Sequence, residues 1–425
     1  MEYEAEALRE PVEPVNLGFQ VLLGLANAGA SVSLLPVLIV LIPAQVTQID
    51  PLHAATSLAL VLMLGATGAL VGNPLSGALS DRTTSRLGRR RPWLLIGMAG
   101  ASSGLVLCAN SRSIAHLAAA WFIVQFFGNM LLSSYGSILP DHVPARQRGA
   151  TQAIIGISSP IAIVLSDLLF TQAGNFHAAY YPLIGIQLIL TLLFVWFYKE
   201  PQLPKGLLPP FRLKAFLASL WVSPRKYPTF GLLWLIWLLA WTGYNLGTGG
   251  YFFLYVKNIT RYEDIFAGHA VKEGAAILQM LQIVVGVPLM MVAGVVSDRY
   301  LRRKPFVLVG IIGMGIGLAI LVGFSGWWMV MVASVLIGAS FWIFYSLGVA
   351  MITQKLPSAS NRGKDLGVIN IASTLPQLIM PWVGATVVIA FGAENSLSYQ
   401  ILFLIGCVAI SLAVILMCSN RLNVR

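Results

Sequence analysis

The chain has 425 residues, of which 57% are hydrophobic and only 10% charged, with a mean hydropathy of +0.79. Soluble domains carry about a quarter charged residues, so this composition excludes an ordinary water-soluble fold and points to an integral membrane protein. The formal net charge of +11 would suit a nucleic-acid partner, but its placement along the chain argues for another origin.

The chain opens on MEYEAEALREPVEPVN, too acidic for a cleavable signal peptide, so the first apolar run is expected to serve as the insertion signal. Apolar runs of roughly 18–25 residues, enough to cross a bilayer core of about 30 Å, follow one another along the whole chain. They lie near 17–41, 54–80, 92–110, 114–139, 149–173 and 180–198 in the first half. In the second half they lie near 227–255, 271–297, 305–324, 327–352, 365–390 and 397–418. Of the 27 Lys and Arg residues, 23 fall in the N-terminal segment, the even-numbered connections and the C-terminal segment. Only Arg112, Lys257, Arg261 and Lys272 fall on the other side. The positive-inside rule then places both termini in the cytoplasm. The basic charge is a topology signal, and no nucleic-acid partner is expected. Cys108, Cys407 and Cys418 lie in or near spans and read as small core residues rather than a disulfide frame.

Asp81-Arg82, after the second span, recurs as Asp298-Arg299 after the eighth, and Arg148-Gly149 recurs as Arg362-Gly363. Both offsets are close to half the chain, which predicts an all-α membrane protein of twelve spans in two parallel six-helix halves, 1–198 and 227–425. The connection 199–226 carries Leu213, Phe216, Leu217, Leu220 and Trp221 at helical spacing, which suits a short helix on the membrane surface as well as a loose linker.

Twelve spans in two halves, with GALSDRTTSRLGRRRP after the second and SDRYLRRKPF after the eighth, resemble the major facilitator superfamily. SDRTTSRLGRRRPW and GKDLGVINIASTLPQ are similar, more narrowly, to its glycoside and sucrose carrier branches. The resemblance implies a multi-pass plasma (inner) membrane carrier working by alternating access, a monomer without cofactor or metal. It also implies a charged latch between the halves on the cytoplasmic side, with Asp81, Arg82, Arg90, Asp141, Arg148, Asp298 and Arg299 as its members. In it Asp81 approaches the start of the eleventh span near Asp365, and Arg82 with the arginines after it bridges to Asp141.

In this superfamily the first, fourth, seventh and tenth spans line the central cavity. Polar residues at helical spacing in those spans and their neighbours are therefore candidate substrate contacts: Asn27, Gln125, Asn129, Ser133, Trp237, Trp241, Asn245, Gln279, Asn370, Ser373 and Gln377. Neutral amides and hydroxyls beside indole rings suit a neutral, polyhydroxylated solute such as a sugar or glycoside. The same residues serve equally as helix–helix hydrogen-bonding groups.

The departures from the resembling branches concern coupling. Asn73 and Ala69 stand where melibiose-type carriers have sodium-binding aspartates, and Gln125 and Gly136 where sucrose carriers have an aspartate and an arginine. Asp167 in the fifth span is the remaining buried acid and the candidate proton carrier. A drug or metabolite exporter of the same fold and an uncoupled facilitator are the alternatives. Enzymatic chemistry is not expected, because the spans bring no histidine, paired acid and base, or activated nucleophile together.

Overall fold

The computed structural model describes residues 11–204, 227–300, 303–353 and 362–419. They are helical almost throughout. In chain order the helices are α1 (Leu17–Val32), a π segment (Val37–Leu41), α2 (Ile42–Ile49), α3 (Ala54–Ser80), α4 (Arg91–Ala109), α5 (Ile114–His142), α6 (Ala145–Gln172) and α7 (Phe176–Phe197). The second half holds α8 (Pro228–Thr248), α9 (Gly250–Asn258), the single turn α10 (Tyr262–Ile265), α11 (Val271–Tyr300), α12 (Lys304–Gly323), α13 (Trp327–Thr353), α14 (Arg362–Phe391) and α15 (Ser396–Cys418). Among the described residues, 11 stretches are long and apolar enough to cross a membrane. The 28-residue helix α6 falls between the fourth and fifth of them, where a span was expected.

The helix starts follow from local chemistry. Asn16, Ser113 and Asn175 each accept a hydrogen bond from the backbone N–H three residues on, which satisfies a donor that the helix itself leaves unpaired. Two spans depart from the simple expectation. The first runs to Ile49 rather than to residue 41: α1 ends at Val32, a turn and a π segment follow around Pro36, and α2 continues with Pro43 in its first turn, where no N–H is needed. Pro36 has no N–H and crowds the carbonyl four residues back, and the chain relaxes into a π segment directly after it. The seventh span breaks between α8 and α9 at Gly249, whose backbone is extended. A Cβ there would meet the Asn245 carbonyl oxygen at 2.5 Å, so the backbone needs a glycine to turn at this point.

Helix pairing repeats between the halves. The first, third, fourth, fifth and sixth spans pack as α4 on α5, α1 on α6, α4 on α7 and α1 on α7. The corresponding spans six places later pack as α12 on α13, α8 on α14, α12 on α15 and α8 on α15. Two sequence repeats thus fold into the same bundle twice. The chain forms two compact units, one from Met1–Val37 with Leu64–Phe216, the other from Leu38–Met63 with Leu217–Arg425. The segment Leu38–Met63 joins the second unit through α2 on α9 and through the Tyr251 hydroxyl, 2.9 Å from the carbonyls of both Ala55 and Pro381. The three cysteines are free. The amphipathic stretch of the 199–226 connection lies outside the described residues.

Candidate functional site

The first unit gathers its charges at one end. Ser85 and Gly88 close the turn after α3, with the Gly88 N–H on the Ser85 carbonyl at 3.0 Å and φ of +95° at Gly88. An L side chain would be strained at that φ, and its Cβ would strike Glu200 Oε2 at 2.6 Å. The turn delivers Arg89 and Arg90 into the protein, where they are 6% and 3% exposed. Arg90 donates to Asp141 at 2.9 Å, to Asp81 at 2.6 Å and to the Ser80 hydroxyl, and its backbone N–H reaches Glu200 at 2.7 Å. Arg89 pairs with Asp141 at 3.1 Å and with Glu200 at 3.7 Å.

Two guanidiniums therefore face three carboxyls, and each carboxyl closes an even-numbered span. Burial works against the charge on Arg90, yet Asp141 and then Asp81 outweigh it and hold the guanidinium above its ordinary value. Burial acts on Glu200 in the opposite sense, pushing its carboxyl above the usual range despite the Arg90 N–H and the two arginines. One Glu200 oxygen has no hydrogen bond. Two further cations cap helix ends: Arg148 donates to the Val143 and Pro140 carbonyls at the end of α5, and Arg91 to Val195 at the end of α7.

Among the residues expected in a latch, Asp81, Arg90 and Asp141 meet within this one unit. Arg82 donates to the carbonyl of Ala78 at 2.9 Å, in its own helix. Arg299 is exposed at the end of α11, while the side chains of Asp298 and Asp365 lie outside those described. The sequence does not single out Glu200, which falls at the start of the 199–226 connection. The available signal was its position, an acid directly after the sixth span, where Asp81 follows the second and Asp141 closes the fourth.

The candidate substrate residues fall into three groups. In the first unit Asn129 donates both to the carbonyl of Gln125, at 2.8 Å, and to its side-chain oxygen, at 2.9 Å, so these amides partly satisfy each other. Ser133 lies one turn further on, half-buried, and Asn27 in α1 is half-buried too. In the second unit the seventh and tenth spans build an aromatic wall. Trp241 stands edge-on to Phe341 at 5.0 Å and to Tyr244 at 5.8 Å, and the Tyr244 and Phe341 rings stack at 3.6 Å. Trp237 packs on Phe344 at 4.8 Å and turns its indole N–H toward the Ser373 hydroxyl of α14 at 3.4 Å. Asn370 and Gln377 flank Ser373 along the same helix, with the Gln377 amide on the Ser373 carbonyl at 3.4 Å. Asn245 donates back to the Trp241 carbonyl at 3.3 Å.

Third, Gln279 in α11 is buried with its oxygen unpartnered, and the buried indole N–H of Trp241 has no partner either. Asp167 lies in α6, and its side chain is outside those described. Among the described residues no three His, Cys, Asp or Glu side chains gather as a metal site.

Two like-paired repeats of long apolar helices, with their large hydrophobic side chains exposed on the outside, define a polytopic membrane protein. The chain belongs to the Major Facilitator Superfamily, whose family profile matches residues 21–287 and 269–421. Two crystal structures of the nucleoside transporter NupG, one a point mutant, share this fold. Their TM-scores are 0.71 and 0.68 at 14% identity, over 94% and 95% of this chain and 98% of theirs. A 68-residue stretch is 46% identical to "Proton-associated sugar transporter A" of Mus musculus, Rattus norvegicus and Homo sapiens. That stretch is 16% of this chain and 9% of each relative's length.

Proposed function

We propose that the protein is a secondary transporter of the glycoside and sucrose carrier type. It moves a neutral polyhydroxylated solute, a sugar or glycoside, by alternating access of the halves 1–198 and 227–425. The observation that carries this reading is the aromatic wall of the second unit, where the Trp241 indole N–H has no partner and the Trp237 indole N–H faces the Ser373 hydroxyl. A flat ring covers the C–H face of a sugar while amides and an indole N–H bind its hydroxyls. The 68-residue likeness to proteins named for proton-associated sugar transport supports both the solute class and the proton as coupling ion. Asp167 is the proposed proton carrier, and the charge cluster around Arg90 the proposed gate.

The test is counterflow in proteoliposomes with labelled mono- and disaccharides, nucleosides and lipophilic cations, with and without imposed pH and sodium gradients. Exchange of saccharides, concentrated by an inward proton gradient, supports the proposal. Saccharide exchange that ignores both gradients reassigns the protein as a facilitator. Exchange of lipophilic cations alone would favour the exporter reading, since an aromatic cage also holds a cation.

A further inference from the structure

A small recess lies inside the second unit, beside the break in the seventh span. Ile39, Thr248, Phe252, Phe253, Gln279 and Gln282 are among the residues that line it. Its free space admits about one water-sized group, so it takes a single substituent and never a ring. The walls are apolar, and the polar groups are few. Gln282 is committed, its amide donating to the Ser334 hydroxyl at 2.7 Å. Thr248 donates to the Tyr244 carbonyl at 2.8 Å, and its hydroxyl also lies within hydrogen-bonding reach of the Tyr244 phenol. Gln279 is only 5% exposed, and its side-chain oxygen meets no donor. A buried amide oxygen left unpaired is disfavoured in a folded protein, so this one has capacity for a water or for a donor on a ligand.

The chemistry of that partner follows from the lining. Among the described residues no ionisable side chain lines the recess, so a charged group would be desolvated without compensation. A methyl group would leave the Gln279 oxygen unpaired. A hydroxyl donates to it, and accepts instead if the amide is turned over, so it fits either orientation. Position adds a length. Thr248 follows Trp241 by seven residues of one helix, a rise of about 10 Å. That span exceeds one pyranose ring and matches two linked rings, or a ring with its aglycone.

We propose that this recess is the subsite for one hydroxyl of a disaccharide or glycoside whose other ring lies against the Trp241 wall. Gln279 is its specificity-determining acceptor and Thr248 the second contact. The inference rests on the sugar reading above and deepens it. The experiment uses the full chain in proteoliposomes, with a disaccharide that the wild type exchanges and its series of monodeoxy analogues. In the wild type one deoxy position should bind roughly tenfold more weakly, the loss of one hydrogen bond to a buried acceptor.

Gln279→Leu should bind parent and analogue alike, both at the weaker level, with a melting temperature equal to or above wild type. Thr248→Val should narrow the same preference at the same position, which keeps the test intact if the leucine variant fails to insert. Gln279→Leu that binds the parent as tightly as wild type, or keeps the full deoxy preference, overturns the subsite and leaves the recess a water site. A wild type that exchanges no saccharide overturns the sugar reading and this inference with it. Saccharide exchange with unchanged discrimination overturns this inference alone.

Discussion

Asp141→Asn should be the most damaging single change in the charge cluster. It leaves the Arg89 and Arg90 guanidiniums buried with only Asp81 and Glu200 opposite them. Asp81 is 53% exposed along its side chain, so water already screens its attraction for Arg90. Burial raises the Glu200 carboxyl pKa, and its contact with Arg89 is long at 3.7 Å. Asp141 itself is 18% exposed and touches both arginines, at 2.9 and 3.1 Å. Removing one member of a buried ion pair costs about 3–5 kcal/mol, and the partial exposure of Asp141 puts this case near 3. Asp81→Asn should cost about 1 kcal/mol or less.

At about 2–4 °C per kcal/mol for a unit of this size, the melting temperature should fall by about 6–12 °C for Asp141→Asn and less than about 4 °C for Asp81→Asn. The assay is thermal unfolding of purified protein in detergent at one fixed scan rate, since membrane proteins of this size seldom unfold reversibly. Adding salt should shrink the Asp81 effect more than the Asp141 effect, because exposed pairs are screened first. Adding Arg89→Gln to Asp141→Asn should restore part of the loss by removing the stranded charge. An Asp81 variant as unstable as the Asp141 variant would refute the assignment of Asp141 as the centre of the network.

Glu200→Gln tests the raised carboxyl: a folded pKa above the unfolded value gives stability that is present at low pH and lost as pH rises through it, so the variant should gain on wild type as pH rises from 4.5. A variant that instead loses ground as pH rises would mean that the arginines, not burial, dominate at Glu200. Trp241→Ala should weaken saccharide binding about tenfold, measured by equilibrium binding, without preventing insertion, while the melting temperature falls because the indole packs on Phe341 and Tyr244. Asp167→Asn should abolish uphill transport driven by a pH gradient yet leave exchange of labelled for unlabelled substrate, and continued accumulation would place coupling elsewhere. Cysteines at Thr84 and Asn395 should be labelled only from the cytoplasm and only from outside respectively, and the reverse pattern would overturn the proposed orientation.

The doubling of the bundle was legible in the chain itself. Twelve apolar runs, the recurrence of Asp81-Arg82 as Asp298-Arg299 and the one-sided arginines require only hydropathy, spacing and charge, all local properties. The candidate substrate residues are legible by type, as neutral amides and indoles in apolar spans, but their hydrogen-bond pairing is not. Gln125 and Asn129 sit one turn apart in sequence, yet nothing local says that they satisfy each other while Gln279 is left unpaired. The same holds for the charges: five arginines lie within ten residues from Arg82 to Arg91, and only packing chooses Arg89 and Arg90 for burial. Glu200 meets them across 110 residues of chain, through a glycine turn that leaves room for its carboxylate. Periodicity along one helix says which residues share a face. Which group from another helix faces them is set by how the bundle packs, and that is written only in three dimensions.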